Sequence, residues 1–168
     1  MTVPDRAETT IRLTLHYDGS GFAGWQVQPD ERTVQGELEA ALARLTAGAA
    51  GGVIAAGRTD SGVHATGQVV GASVPAKWTP DALARALNAV LPADIWVASA
   101  ASAPSGFHAR YDAVARGYIY RVGTREVAAS PFLRRGCWPL RQPLREEVLA
   151  QAANEFVGRH SFRAFAKA

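Results

Sequence analysis

Residues 56–67 contain the side chains whose types and spacing are best suited to catalysis. They read Ala-Gly-Arg-Thr-Asp-Ser-Gly-Val-His-Ala-Thr-Gly, so that Asp60 follows Arg58 by two positions. A neighbouring positive charge favours the ionised form of a carboxyl group, and an ionised, oriented aspartate can serve as a nucleophile or a base. The residues themselves leave two interpretations open: a catalytic loop, and an ordinary turn that carries a surface ion pair.

Apolar segments on both sides indicate that this loop joins two strands. Residues 53–55 precede it and residues 69–74 follow it, and both segments are rich in valine and alanine. Glycines at positions 57, 62 and 67 allow a left-handed or crowded backbone. Functional groups are often carried on loops that rigid elements hold in place. We therefore expect Asp60 on a tight loop between two strands.

The apolar patterning elsewhere predicts an α+β chain. Residues 10–17 alternate between apolar and polar side chains, as in a half-buried strand. Further along come a helix over 34–47 capped by Thr33 and Gly48, strands near 52–56 and 68–74, a helix from Thr79 to Pro92, and a strand from Ile95. This order is the ferredoxin-like β-α-β-β-α-β pattern, an antiparallel sheet with helices on one face.

The last third of the chain predicts additional elements. We expect further strands near 114–123 and 137–140, then a C-terminal helix from about 143 to 157 that Gly158 caps. The apolar face of that helix would consist of Leu144, Val148, Leu149, Ala152 and Phe156. As domains we expect a flexible N-terminus over 1–9, a catalytic α+β domain over 10–158, and the truncated start of a second domain over 159–168.

Composition limits the class of protein. The first residues lack the apolar segment of a signal peptide, and no apolar run approaches the length of a membrane span. The single cysteine, Cys137, excludes an internal disulfide and fits a reducing compartment. We therefore expect a cytoplasmic protein without a membrane partner. A net charge of +3 is compatible with an anionic partner but does not require one.

A glycine-rich segment raises the question of a cofactor. Residues 19–24 match G-x-G-x-x-G, but a dinucleotide-binding loop of this kind opens directly into a helix. Here residues 25–32 intervene before the predicted helix. We therefore expect no cofactor, and a flexible loop that borders a substrate cleft, with a plain connecting loop as the alternative. His64, His108 and Cys137 lack the spacing of metal ligands, so we predict no metal site.

Two tyrosines near residue 120 have a spacing that suits stacking. Tyr118 and Tyr120 alternate on the strand predicted near 114–123, so they would share one face. Core packing is the common role of strand tyrosines, and a stacking surface for a nucleobase is the alternative.

Four segments, taken in order, resemble the motifs of the TruA-type tRNA pseudouridine synthases. They are Tyr17-Asp18-Gly19-Ser20-Gly21-Phe22-Ala23-Gly24-Trp25-Gln26, the stretch around Asp60, Phe107-His108-Ala109-Arg110, and Arg116-Gly117-Tyr118-Ile119-Tyr120. The resemblance runs over nearly the whole chain, which matches only the N-terminal part of the family's usual length. It implies the first half of a pseudo-duplicated fold, and a homodimer that converts uridine to pseudouridine at positions 38–40 in the anticodon stem-loop of transfer RNA.

The resemblance also implies roles for individual residues. Asp60 would act as a nucleophile or as a base at the sugar, by attack on the ring, by attack at C1′, or by a glycal route. Arg58 would fill the space left by the flipped base and pair with Asp60, and Tyr118 would stack on that base. The implied substrate-binding residues are Arg58, His64, Phe107, His108, Arg110, Arg116 and Tyr118. Gly117 departs from the family, where a second basic residue is common.

Two rival functions remain from the sequence. One is a non-catalytic RNA-binding fragment of such an enzyme, and the other, more remote, is a nucleotide-dependent oxidoreductase. Because the family's cleft lies between two similar halves, the resemblance implies that this chain alone is a weak enzyme that tends to self-associate.

Overall fold

The computed structural model describes residues 7–140 and 142–165 and divides into two compact units. The first unit ends at Gly117 and the second begins at Tyr118. This boundary falls inside the range 10–158, and the function of that range as one catalytic domain stays a prediction. Most of the expected flexible N-terminus, residues 1–6, lies outside the described residues, and β1 already begins at Glu8.

A four-stranded antiparallel sheet forms the framework of the first unit. Its strands are β1 Glu8–Tyr17, β2 Val53–Ala55, β3 Ala65–Pro75 and β4 Ile95–Ser102, in the spatial order β2-β3-β1-β4. β1 pairs with both β3 and β4, and β2 pairs with β3. The α+β class and the antiparallel sheet that the sequence predicts are therefore confirmed.

Two capped helices connect these strands. α1, Val34–Thr46, begins where the Thr33 hydroxyl accepts a hydrogen bond from the Gly36 N–H, and α2, Pro80–Val90, begins in the same way at Thr79. Such side-chain caps satisfy N–H groups that have no partner inside the helix. After α1, Ala47 and Gly48 both take a left-handed backbone, and the Gly48 N–H donates to the Ala43 carbonyl at 2.8 Å.

The core lies between one face of the sheet and both helices. On β1 the alternate side chains are buried, as the pattern predicts, and they form one cluster with α1 and α2. The members contributed by these three elements are Ile11, Leu13, Leu15, Tyr17, Val34, Leu38, Ala41, Leu42, Leu83 and Leu87. Burial of apolar surface on this scale is the main force that stabilises the framework.

The second unit differs from the sequence prediction at its start. Its β5 comprises only Val122–Gly123, and this strand pairs in parallel with β6, Trp138–Pro139. The predicted strand near 114–123 is therefore wrong apart from its last two residues, and Tyr118 and Tyr120 do not share a strand face. Residues 114–121 are exposed and have no ladder partner among the described residues, and β-propensity needs such a partner to take effect.

The C-terminal helix is shorter than predicted. α3 spans Glu146–Asn154, and none of its residues is buried, with Val148 45% and Leu149 54% exposed. Gly158 does have a positive φ of 103°, but it lies four residues beyond Asn154, so it is not the cap. No helix in residues 7–140 and 142–165 combines the length and apolar character that crossing a membrane requires.

Candidate active site

Asp60 lies on the loop of a β-hairpin. Residues 56–64, named the Asp60 loop, connect β2 to β3, whose pairing runs from Val53 opposite Ala72 to Ala55 opposite Val70. Asp60 is exposed. The expected loop between two strands is confirmed, and the sheet carries Asp60 at one end of a hairpin.

The backbone of the Asp60 loop is held by residues 17–25, named the support segment. The Trp25 N–H donates to the Thr59 carbonyl at 2.9 Å. The Gly62 N–H and the Ser61 hydroxyl both donate to the Phe22 carbonyl, at 3.3 and 3.2 Å. Because these bonds lie on both sides of Asp60 in the chain, they fix the main chain that carries its carboxylate.

Glycines in the support segment make this contact possible. A Cβ atom at Gly24 would lie 2.7 Å from the Thr59 carbonyl oxygen, and one at Gly19 would lie 2.1 Å from the Val63 carbonyl oxygen. Gly24 also has a φ of +111°, which other residues rarely adopt. The glycine-rich segment therefore packs against the Asp60 loop, and its expected place at the border of a substrate cleft stays a prediction.

Arg32 anchors the support segment to its neighbours. Its guanidinium makes two hydrogen bonds to the Asp94 carboxylate, at 2.7 and 3.0 Å, and one to Glu37 at 2.7 Å. It also lies 4.1 Å from the centre of the buried Phe22 ring. Hydrogen bonding to Asp94 raises the pKa of Arg32 above its ordinary value, which favours the charged guanidinium in these ion pairs.

His64 joins the end of the Asp60 loop to the support segment. Its Nδ1 lies 3.2 Å from the Gly19 N–H nitrogen, which donates to it, and 3.0 Å from a carboxylate oxygen of Asp18. Asp18 in turn accepts a hydrogen bond from the Ser20 N–H. These contacts support an ordering role for His64, and its contact with substrate stays a prediction.

Two polar contacts with the Asp60 loop were not predicted from the sequence. The hydroxyl groups of Tyr17 and Thr59 lie 2.9 Å apart, and the Gln68 side-chain amide donates to the Gly57 carbonyl at 2.6 Å. Tyr17 ends the buried face of β1. A buried tyrosine hydroxyl usually has a hydrogen-bond partner. The position of Tyr17 at the end of an alternating strand could therefore have indicated that its hydroxyl forms a hydrogen bond.

Arg58 and Asp60 do not form the expected ion pair. Both residues are exposed, and among the described residues no salt bridge joins them. The carboxylate therefore depends on its backbone, and not on Arg58, for its position, and both side chains are accessible to a ligand from solvent.

Phe107 and His108 belong to a folded turn in the first unit. The Phe107 ring covers Gly71 of β3, where a Cβ would lie 3.4 Å from the ring, on the sheet face opposite the core. The His108 ring stacks on Tyr111 with centroids 4.1 Å apart, and the His108 N–H donates to Asp112 at 2.8 Å. Phe107 and His108 therefore both pack against other residues of the protein. Their predicted contact with substrate stays a prediction.

Arg116 and Arg110 lie at the start of the Asp60 loop. The Arg116 guanidinium donates through Nε to the Ala56 carbonyl at 2.8 Å, and through Nη2 to the same carbonyl and to that of Arg110. Arg110 itself is exposed. The structure therefore brings these two predicted residues together with the Asp60 loop.

Tyr118 is the first residue of the second unit and is 74% exposed. Its role in stacking stays a prediction.

Among the described residues, no group of three or more His, Cys, Asp or Glu side chains could hold a metal ion.

The chain is similar in sequence to a known family of proteins. A model of the family described as tRNA pseudouridine synthase matches residues 14–112, more than half of the chain. The tRNA pseudouridine synthases A of Halalkalibacterium halodurans and Moorella thermoacetica are 46% and 48% identical over 158 and 160 residues. These alignments cover 94% of this chain but 60% and 64% of the relatives, so the chain spans about 60% of their length. The chain belongs to the tRNA pseudouridine synthase family.

Proposed function

We propose that this protein isomerises uridine to pseudouridine in transfer RNA, with Asp60 as its catalytic residue. The observation that carries the proposal is an exposed carboxylate on a loop held by hydrogen bonds at the Thr59 carbonyl, the Ser61 hydroxyl and the Gly62 N–H. A reacting group held in place before substrate arrives lowers the barrier, because small errors of position are costly in rate.

The reaction places clear demands on such a site. The N1–C1′ bond of uridine breaks, the freed uracil rotates, and C5 bonds to C1′ while C5 loses a proton and N1 gains one. There is no net oxidation and no group donor. Asp60 would serve as the nucleophile or as the base. A uridine within a stem must first be flipped out of its stack, at a cost of a few kcal/mol.

We assign exposed side chains to the flipped nucleotide. Arg58 would occupy the vacated space and Tyr118 would stack on the base. Arg110 would contact phosphates, for which the guanidinium fork is well suited. The proposed target is the anticodon stem-loop at positions 38–40, and the proposed assembly is a homodimer.

We also propose that the first unit has the ferredoxin-like topology and forms half of a duplicated fold. The order of its elements, its strand order β2-β3-β1-β4 and its antiparallel pairing support this assignment.

The test is tritium release from transfer RNA that carries uridine labelled at C5. Asp60→Asn keeps the shape of the side chain but removes its charge, so the single-turnover rate should fall by about 10² to 10⁴, with transfer RNA affinity retained. Asp81→Asn, a change at an exposed carboxylate in the first turn of α2, is the matched control and should leave the rate unchanged.

The assay should include both this chain and a protein extended to the full length of the relatives. Substantial release by Asp60→Asn would overturn the catalytic role of Asp60. Binding of transfer RNA without release by either unmutated protein would favour the non-catalytic RNA-binding alternative.

A further inference from the structure

The side chain of Arg116 is engaged by the protein's own backbone. Three of its hydrogen bonds end on main-chain carbonyls, two on Ala56 and one on Arg110. A guanidinium has five N–H donors in a fixed plane. Most of this donor set is therefore already used before any RNA is bound.

The two carbonyls belong to segments that are separately anchored. The Ala56 N–H donates to the Val69 carbonyl at 2.8 Å, which extends the β2–β3 hairpin into the Asp60 loop. Arg110 lies in the turn in which Tyr111 and Asp112 donate to the His108 carbonyl, at 3.0 and 2.9 Å. Arg116 thus connects residues 107–116 to the first residue of the Asp60 loop.

Gly57 provides the space for this connection. A Cβ at Gly57 would lie 3.1 Å from Arg116 Nε and 3.3 Å from its Cδ. The Arg116 side chain therefore lies directly against the backbone of the Asp60 loop, one residue before Arg58 and three before Asp60.

We propose that Arg116 is a positioning residue that fixes the Asp60 loop against residues 107–116, and that it does not bind transfer RNA phosphates. Both residues are exposed, and Arg110, whose guanidinium makes no hydrogen bond among the described residues, makes the phosphate contact instead. The effects on reaction rate and on transfer RNA binding rest on the proposed function, whereas the contact itself, which hydrogen exchange measures, does not.

Salt dependence separates a positioning arginine from a phosphate ligand. Each phosphate contact contributes about one unit to the slope of log affinity against log salt. In the 168-residue chain, Arg116→Ala should bind transfer RNA with the slope of the unmutated protein. Arg110→Ala should lower that slope by about one. A fall of about one for Arg116→Ala as well would overturn the proposal.

Hydrogen exchange and single-turnover rate report on the positioning itself. In Arg116→Ala, exchange in residues 107–116 should speed up, and the rate with saturating transfer RNA should fall by about 10- to 100-fold with affinity nearly unchanged. Arg116→Lys should not restore the rate, because a lysine is a point charge and cannot span two carbonyls as a fork does. Unchanged exchange in Arg116→Ala would contradict the proposal.

Gly57→Ala tests the same contact without removing a charge. Its methyl group would lie 3.1 Å from Arg116 Nε and would make the fork shift by a few tenths of an ångström, so it should speed exchange and slow the rate less than Arg116→Ala does, while leaving the salt slope intact. Exchange in residues 107–116 as slow as in the unmutated chain would overturn the proposal. If neither this chain nor the extended protein shows turnover, the proposed catalysis fails, but hydrogen exchange still decides whether Arg116 positions the loop.

Discussion

Asp60 owes its position to the hydrogen bonds of its neighbours in the chain. Thr59 is held twice, by the Trp25 N–H at its carbonyl and by the Tyr17 hydroxyl at its side chain. Ser61 and Gly62 are held by the Phe22 carbonyl. Because none of these bonds uses the Asp60 carboxylate, its oxygens remain accessible, and the neighbours can be altered without changing the proposed reacting group.

Tyr17→Phe should separate these contributions. It removes one hydroxyl from beneath the Asp60 loop, which should lower the free energy of unfolding by about 1 kcal/mol and slow the single-turnover rate. Urea unfolding and tritium release measure the two effects. Tyr111→Phe, at a tyrosine that is 77% exposed, is the control. Equal free energies of unfolding in the two variants would show that the Tyr17 hydroxyl does not stabilise the Asp60 loop.

Tyr118→Phe should affect the rate and not the stability. The ring is retained for stacking and the side chain is 74% exposed, so transfer RNA affinity and melting temperature should stay close to those of the unmutated protein. We propose that the hydroxyl assists proton removal from C5, so its loss should lower the single-turnover rate. A lower melting temperature with a normal rate would instead indicate a structural tyrosine.

At the level of elements, two loops far apart in sequence form one supported structure. The support segment and the Asp60 loop approach so closely that their backbones touch at Gly19 and Gly24. Such close contact transmits the rigidity of the sheet and of the Arg32 ion pairs to the loop that carries Asp60.

Gly24→Ala should disturb both stability and catalysis. Gly24 has a φ of +111°, and a Cβ atom there would lie 2.7 Å from the Thr59 carbonyl oxygen. We expect the added methyl group to cause strain of about 1 to 3 kcal/mol. Urea unfolding should detect this loss, and tritium release should slow because the Asp60 loop must move. Gly67→Ala, which meets no atom within 4 Å, should change neither. Equal behaviour of the two variants would contradict the supporting role.

The elements that sequence predicts well are those with a strong local signal. β1 has strict alternation, and both early helices have a threonine cap, so each could be placed within a few residues. The contact between the support segment and the Asp60 loop could not be predicted. Two backbones in close contact are indicated in a sequence only by glycines, and glycines occur for many other reasons. The strand near 114–123 failed for the opposite reason: its tyrosines favour a strand, but pairing depends on residues elsewhere.

At the level of the whole molecule, charge is the property most relevant to an RNA partner. The chain has a net charge of +3, and Arg58 and Arg110 are both exposed in the first unit. Arginines at a binding surface release counterions from RNA phosphates, and this release makes affinity depend on salt.

Affinity for transfer RNA should therefore fall by roughly tenfold or more between 50 and 200 mM salt. Fluorescence anisotropy with labelled transfer RNA measures this, and a double variant, Arg58→Ala with Arg110→Ala, should show a shallower dependence. A flat titration for the unmutated chain would remove the electrostatic part of the proposed function.

The hydrogen bonds beneath the Asp60 loop also have a thermodynamic consequence for substrate binding. Ordering a backbone residue costs about 1 to 2 kcal/mol in entropy, and a mobile loop incurs that cost only when its ligand arrives. Here Thr59, Ser61 and Gly62 are already held in the free chain. The entropy of ordering this loop is therefore lost during folding, and under the proposed function the free energy of contact with RNA can go instead toward opening the base stack.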